Sequence, residues 1–156
     1  MISSFYDRKS GHSVPSNFYV APFTAPIFSL RGTGFPSFRW ETVEHYYQAA
    51  KAAERYDALM IRDARTPGEA KKLGRAVKLR PDWEQIKLAV MREALALKFA
   101  QGTPEAAYLV STAGHYLQEG NTWGDTFWGV CNGEGENWLG HLLMAQRSVL
   151  MCTEED

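Results

Sequence analysis

The chain has 156 residues, enough for one domain with a sizeable hydrophobic core. Its 17 basic and 18 acidic side chains leave a net charge of -1, which argues against a protein that grips long nucleic acid through bulk charge, although a local basic cluster can still hold a phosphate or two. No run approaches the roughly 18 apolar residues of a membrane span, Cys131 and Cys152 lack metal-ligand spacing, and no N-terminal stretch reads as a cleavable leader, so a reduced, cytoplasmic protein off the membrane is expected.

The first forty residues mix aromatic and β-branched residues with prolines at 15, 22, 26 and 36. Prolines break helices, so SNFYVAPF (16–23), IFSLRG (27–32) and GFPSFRW (34–40) read as short strands and turns. From Glu41 the texture turns helical, with a first helix to about Glu54 and a shorter one from Tyr56 to Ala64. In TPGEAKKLGR, Thr66 is a candidate N-cap, Pro67 suits the first helical position, Glu69 completes a capping box and Gly74 suits the helix end. The segment DWEQIKLAVMREALALKFAQG carries Trp83, Ile86, Val90 and Leu97 at helical spacing, with Asp82 as cap and Gly102 as stop. Thr103, Pro104 and Glu105 start another helix of about two turns that ends near Gly114. HYLQEG and DTFWGV then read as a strand pair across a turn, and the Gly133 to Gly135 loop leads into a last helix, NWLGHLLMAQRSVL. The whole is expected to be an α+β fold, a mainly helical single domain over residues 1–156 with a small antiparallel sheet.

Four constellations stand out. In WETVEHYYQAAK (40–51), Glu44, Gln48 and Lys51 fall within roughly 60° of one another at about 100° per residue, so an acid, an amide and an amine share one strip with Tyr46 and Tyr47 beside it. A solvated helix face is the bland alternative. In IRDARTPGEAKKLGR (61–75), Arg62, Arg65, Lys71, Lys72 and Arg75 crowd a helix N-terminus, the combination that a phosphate seeks; a basic face balanced by Asp63 and Glu69 gives the same pattern. In QEGNTWGDTFWGV (118–130), Glu119 and Asp125 stand near Trp123 and Trp128, as in a site that stacks a ring beside developing positive charge, although Trp is also a routine core residue. The aromatics of SNFY and APF (16–23) line either a base pocket or the core. His12, His45, His115 and His141 form no pair at metal-binding spacing, so no metal is expected.

In order along the chain, SNFY (16–19), VEHYYQAAK (43–51), IRDARTPGEAKKLGR (61–75), DW (82–83), KF (98–99), DTFWG (125–129) and NWLGHLLMAQR (137–147) follow the pattern of the NADAR, or YbiA-like, family. The chain resembles that family over nearly its whole length. Ala52 departs from the pattern, which usually has Phe there, and a longer GTGFPSFRW approach precedes the helix. The resemblance implies a YbiA-like fold and an N-glycosidase, without cofactor, that hydrolyses the bond between C1 of a phosphorylated ribose and an exocyclic amine of a nucleobase. Carried over by position, Glu44, Lys51 and Asp125 are the catalytic candidates, with Trp128 in the same active site. Arg62, Lys71 and Arg75 are phosphate candidates, and Asn17, Phe18, Tyr47, Gln48 and Gly129 are further substrate contacts.

Family substrates are of two types: phosphoribosylamino-pyrimidine intermediates of riboflavin synthesis, and ADP-ribose attached to guanine in nucleic acid. The surplus of basic residues over 62–75 tilts the expectation toward ADP-ribose removal, so the expected partner is an ADP-ribosylated nucleic acid or, failing that, a small phosphorylated ribosyl-nucleobase. Two routes fit the residues. Lys51 attacks C1 to form a Schiff base while Glu44 moves protons, or Glu44 and Asp125 stabilise an oxocarbenium-like transition state and activate water. A non-catalytic reader of ADP-ribose or a nucleotide would use the same pocket but has no need of the Glu44 and Lys51 pair, so that pair favours an enzyme.

Overall fold

Three threonines start helices in the same way. Thr42, Thr66 and Thr103 each hold extended backbone, and each side-chain oxygen accepts from the amide three residues on, at His45, Glu69 and Ala106. Such a cap contributes about 1 kcal/mol and fixes where the helix begins. The computed structural model describes residues 1–6, 9, 13–28 and 36–153. The chain divides into two units, Val20–Lys98 and Met1–Tyr19 with Phe99–Asp156.

In the unit Val20–Lys98, β1 (Phe23–Ala25) and β2 (Phe38–Trp40) pair antiparallel, with Phe23 opposite Trp40 and Ala25 opposite Phe38. The Trp40 indole is fully buried and its Nε1–H donates to the Ala25 carbonyl at 2.9 Å. Tyr46 meets Trp40 and Phe23 edge to face at 5.2 and 5.6 Å, and each such pair contributes roughly 0.5–1.5 kcal/mol beyond its burial. Tyr46 belongs to α1 (Val43–Ala50), around which α2 (Arg55–Arg62), α3 (Pro67–Ala76), α4 (Trp83–Lys98) and β2 pack. All eight residues of α1 are buried. A helix buried all round is normally apolar, yet Glu44, His45 and Gln48 go in with it.

His45 shows how a polar group is accommodated there. Its Nε2 lies 3.1 Å from the Ala64 carbonyl and its Nδ1 lies 2.8 Å from the Thr42 hydroxyl. A carbonyl can only accept, so Nε2 carries a proton, and in the neutral ring Nδ1 then accepts from Thr42. The same hydroxyl accepts from the His45 amide at 3.2 Å, so the ring ties the start of α1 to the segment that leads into α3.

Several boundaries differ from the sequence expectation for physical reasons. The first helix ends at Ala50 rather than near Glu54, because the chain from Lys51 to Ala53 pairs antiparallel with Lys78 to Arg80: the Arg80 amide donates to the Lys51 carbonyl at 2.9 Å and the Ala53 amide to Lys78 at 2.8 Å. Gly74 does not end α3, which continues to Ala76. Glu69 closes its capping box one residue early, accepting from the Arg65 amide at 2.8 Å instead of from Thr66. The second helix spans Arg55–Arg62 in place of 56–64. Before α4, the Asp82 carboxylate is gripped by the Arg80 guanidinium at 2.7 and 3.0 Å, and α4 stops at Lys98, ahead of Gly102, which turns the chain with a φ of 85°. Of the expected IFSLRG segment, Ile27 and Phe28 belong to no strand and residues 29–32 lie outside the described residues, as do His12 and residues 32–35 of the GTGFPSFRW approach.

In the other unit, α5 (Pro104–Ser111) packs with α6 (Trp138–Thr153). Arg147 on α6 donates to the carbonyls of Thr112 and His115 at 2.7 and 2.9 Å, which ties α6 to the turn that follows α5. Asn137, just before α6, donates to the Leu117 carbonyl at 2.9 Å and accepts from the Glu119 amide at 3.0 Å. Gly140 lets α6 approach the Leu117 carbonyl, where a Cβ would collide. The expected strand pair is different in kind: β3 (Gly120–Asn121) and β4 (Val130–Cys131) run parallel, and Leu117 and its neighbours pair with Ile2. The reason is the intervening loop. The Asn121 amide donates to the Asp125 carbonyl at 2.7 Å and its oxygen accepts from the Asp125 amide at 3.1 Å, which curls the chain back before it re-enters alongside.

The fold is therefore α+β and mainly helical, with a small antiparallel sheet, as expected, and among the described residues no helix is long and apolar enough to cross a membrane. Replacing His45 with Ala removes the donor to the part-buried Ala64 carbonyl and the acceptor for the buried Thr42 O–H. A loss of about 1–3 kcal/mol of unfolding free energy is expected by urea denaturation; a variant as stable as the wild type would show that the ring ties nothing.

Candidate active site

α1 delivers Glu44 and Gln48 from adjacent turns and Lys51 at its C-cap. Glu44 and Gln48 are only 6% and 4% exposed, and Lys51 is half-buried, so the strip is not a solvated face. The Gln48 Nε2 donates to the Glu44 Oε1 at 2.7 Å. α3 lies alongside. A Cβ on Gly74 would fall on the Gln48 Oε1, 2.9 Å from its Cδ and 3.0 Å from the Lys51 Cε. Lys71 and Arg75, four apart on α3, both act electrostatically on Glu44 and on Lys51.

Burial pushes the Glu44 carboxyl above its ordinary value; the Gln48 hydrogen bond and the charges of Lys71, Lys51 and Arg75 pull it down without cancelling the rise. Burial pushes the Lys51 amine below its ordinary value, Glu44 opposes that shift, and Arg75 and Lys71 add to it. The result is a carboxyl that keeps its proton longer and an amine that sheds its proton sooner, the pairing that acid–base and amine chemistry require.

The remaining candidates are placed as follows. Tyr47 is buried with its ring edge-on to Trp83 at 5.0 Å. Arg62 is engaged: its guanidinium pairs with Asp63 at 2.8 Å and lies over the Phe38 ring, 4.8 Å from the centroid. Of the three phosphate candidates, Lys71 and Arg75 are thus the two that act on the Glu44 and Lys51 pair. Asn17, Phe18, Asp125, Trp128 and Gly129 belong to the other unit. Asn17 and Phe18 are half-buried in a turn where the Ser16 hydroxyl accepts from the Phe18 amide at 3.2 Å. The Asp125 Oδ1 accepts from the amides of Phe127 and Trp128 at 3.1 and 2.9 Å, which shapes the loop and leaves Oδ2 without a partner among the described residues. Trp128 is half-buried, edge-on to Phe127 at 4.9 Å, and Gly129 passes so close to the Glu119 carbonyl that a Cβ would collide.

Two residues that matter here were not anticipated in that role. Gly74 read as a helix end, and His45 as one of four scattered histidines. The signal for His45 was available in its spacing three residues after Thr42; for Gly74 nothing in the sequence names the neighbour. Among the described residues no three His, Cys, Asp or Glu side chains gather as a metal site would require.

These features describe an α+β protein built around a buried carboxyl and a proton-shedding amine beneath a cationic helix. The chain belongs to the NADAR domain family, which matches residues 4–151. It is 41% identical over 126 residues to the N-glycosidase Npun_R5314 of Nostoc punctiforme, covering 77% of this chain and 80% of that protein. It is also 41% identical over 130 residues to the chloroplastic riboflavin biosynthesis protein PYRR of Zea mays, covering 74% of this chain and 20% of that one. The NMR structure of the Escherichia coli protein YbiA matches with a TM-score of 0.79 at 33% identity, over 100% of this chain and 90% of that chain.

The raised Glu44 makes a stability statement. A carboxyl whose folded value exceeds its unfolded value costs nothing below the unfolded value and destabilises increasingly as pH rises through the folded one. Glu44→Gln is therefore expected to raise the melting temperature at neutral pH, with the gain shrinking toward zero as pH falls below the ordinary carboxylate range. Thermal melts across pH check the sign, and a gain that grows on acidification would contradict the assignment.

Proposed function

We propose that the chain is an N-glycosidase that cleaves the bond between C1 of a phosphorylated ribose and an exocyclic amine of a nucleobase. The observation that carries this reading is the Glu44 carboxyl, buried and hydrogen-bonded to Gln48, with half-buried Lys51 on the same strip and Lys71 and Arg75 acting on both. A binding module gains nothing from a buried carboxyl that weakens its fold, whereas an acid catalyst needs one.

Because the nitrogen on C1 is exocyclic, the sugar ring can open to an imine. Lys51, as the neutral amine, adds to C1; the bond from C1 to the nucleobase nitrogen breaks, and the base leaves as a free amine with a proton from Glu44. Water then adds to the Lys51–C1 Schiff base, releasing the sugar as an aldehyde and returning the amine. Lys71 and Arg75 supply the charge that seats a phosphate.

For the substrate, we favour ADP-ribose on guanine in nucleic acid, on the strength of Arg65, Lys71, Lys72 and Arg75, more cationic charge than one monophosphate requires. The second reading, a phosphoribosylamino-pyrimidine, is favoured by the name of the maize relative and by the engagement of Arg62 with Asp63, which trims that surplus. An ADP-ribosylated guanine oligonucleotide and a phosphoribosylamino-pyrimidine should be assayed side by side. Release of free ADP-ribose is expected from the first, and Glu44→Gln should slow it at least about a hundredfold while the substrate still binds. Turnover of the monophosphate alone would transfer the assignment to the second reading; turnover of neither would remove the activity.

The Lys51 route has its own signature. Borohydride added during turnover should reduce the imine and leave the sugar portion, without the nucleobase, on the peptide containing Lys51. Lys51→Arg should lose both the adduct and the turnover, because a guanidinium stays protonated. An active Lys51→Arg enzyme with no adduct would return Lys51 to electrostatic support and leave direct attack by water assisted by Glu44.

A further inference from the structure

Gly74 lies inside α3 with two residues still to run, a position where glycine is unfavourable to a helix by about 1 kcal/mol relative to alanine. It is buried, and it is not among the glycines whose positive φ excludes other residues. What calls for glycine is the neighbour. A Cβ there would crowd the Gln48 Oε1 and lie 2.9 Å from its Cδ, so the amide at the end of that flexible side chain would have to leave its slot, and it would also press 3.0 Å against the Lys51 Cε.

The Gln48 amide is itself lightly held. Its Nε2 makes one hydrogen bond, to Glu44 at 2.7 Å, and its Oε1 is buried without a hydrogen-bond partner. With Glu44 ionised, turning the amide over would set Oε1 against the carboxylate, so the oxygen then faces α3. With one hydrogen bond made and one acceptor unspent, packing decides where the amide sits. We infer that Gly74 is a positioning residue: by presenting no Cβ it leaves the slot in which the Gln48 amide lies, and so holds the Glu44 carboxyl in place. The catalytic consequence rests on the glycosidase reading; the contact does not.

The test reads Glu44 directly. In the full chain labelled with ¹³C, the Glu44 carboxyl carbon is titrated by NMR in the wild type, Gly74→Ala, Gln48→Met and the double variant. Losing the Gln48 hydrogen bond removes a contribution that lowers the Glu44 midpoint, so both single variants should move it upward. Lys71, Lys51 and Arg75, the charges that act on Glu44, are unaltered in all four proteins. The double variant should move no further than Gln48→Met alone, because both changes remove the same contact. With an active enzyme, Gly74→Ala should also lower kcat about 10- to 100-fold while KM changes little, the mark of a misplaced group.

An unchanged Glu44 midpoint in Gly74→Ala, or a double variant showing the sum of the two shifts, would overturn the inference. If Gly74→Ala does not fold, Gly74→Ala with Gln48→Ala must fold, since the smaller side chain vacates the slot; failure of that rescue overturns the inference too. The titration needs no turnover, so a protein without glycosidase activity but with the expected midpoints refutes the functional reading alone. Activity with an unmoved midpoint refutes only the role of Gly74.

Discussion

Burial of one carboxyl on a helix with no solvent face is the constraint around which the unit Val20–Lys98 is arranged. An ionised carboxylate removed from water carries a penalty of about several kcal/mol. Glu44 meets it with an amide hydrogen bond from Gln48 and three positive charges, and these leave its affinity for a proton raised. An eight-residue helix has little stability of its own. α1 is consequently held at both ends, by the Thr42 and His45 pair at its start and by the backbone pairing of Lys51 with Arg80 at its finish. Between those ends it is enclosed by α2, α3, α4 and β2.

The residues that carry the family resemblance divide into two kinds. Within VEHYYQAAK, Val43, Tyr46, Ala49 and Ala50 fill the core, His45 ties helix to loop, and only Glu44, Gln48 and Lys51 form the strip. Within TPGEAKKLGR, Thr66, Pro67 and Glu69 start α3, Ala70 is buried, and Lys71 and Arg75 bring charge to the strip. In NWLGHLLMAQR the motif residues Asn137, Gly140 and Arg147 dock α6 and close the end of α5. A match along the whole chain thus speaks mainly for the scaffold. The proposed reaction rests on a few side chains that the scaffold holds in place.

That division explains what was legible in the sequence. Caps at Thr42, Thr66 and Thr103 depend on residues within three positions, and they appear where local spacing puts them. The Glu44, Gln48 and Lys51 strip follows from helical periodicity, but periodicity cannot say whether a face meets water or another helix, so its burial had to be seen. The failures share one cause. Gly74 looks like a helix stop because glycine often is one, and its role depends on Gln48, twenty-six positions away. The β3 and β4 pair runs parallel because the Asn121 side chain binds the Asp125 backbone and curls the loop, a three-dimensional outcome that alternation in HYLQEG and DTFWGV does not encode. Arg62 pairs with its sequence neighbour Asp63, and the fold alone brings it over Phe38.

The opposed shifts of Glu44 and Lys51 bear on how the proposed reaction could start near neutral pH. An ordinary lysine and an ordinary glutamate lie about six pKa units apart, so moving a proton from the ammonium to the carboxylate is steeply unfavourable in water. Burial raises one group and lowers the other, and both changes narrow that gap. Their mutual attraction widens it again by favouring the charged pair, and here α3 has a divided effect. Lys71 and Arg75 draw Glu44 toward its ionised form while driving Lys51 toward its neutral form. Each group therefore acts on the other's hold on its proton, Lys51 lowering that of Glu44 and Glu44 raising that of Lys51. In the proposed reaction, a proton moved from Lys51 to Glu44 would both free the nucleophile and load the acid. For a Schiff-base route that coupling is the advantage of placing the acid, the amide and the amine on one buried strip instead of recruiting them from separate elements.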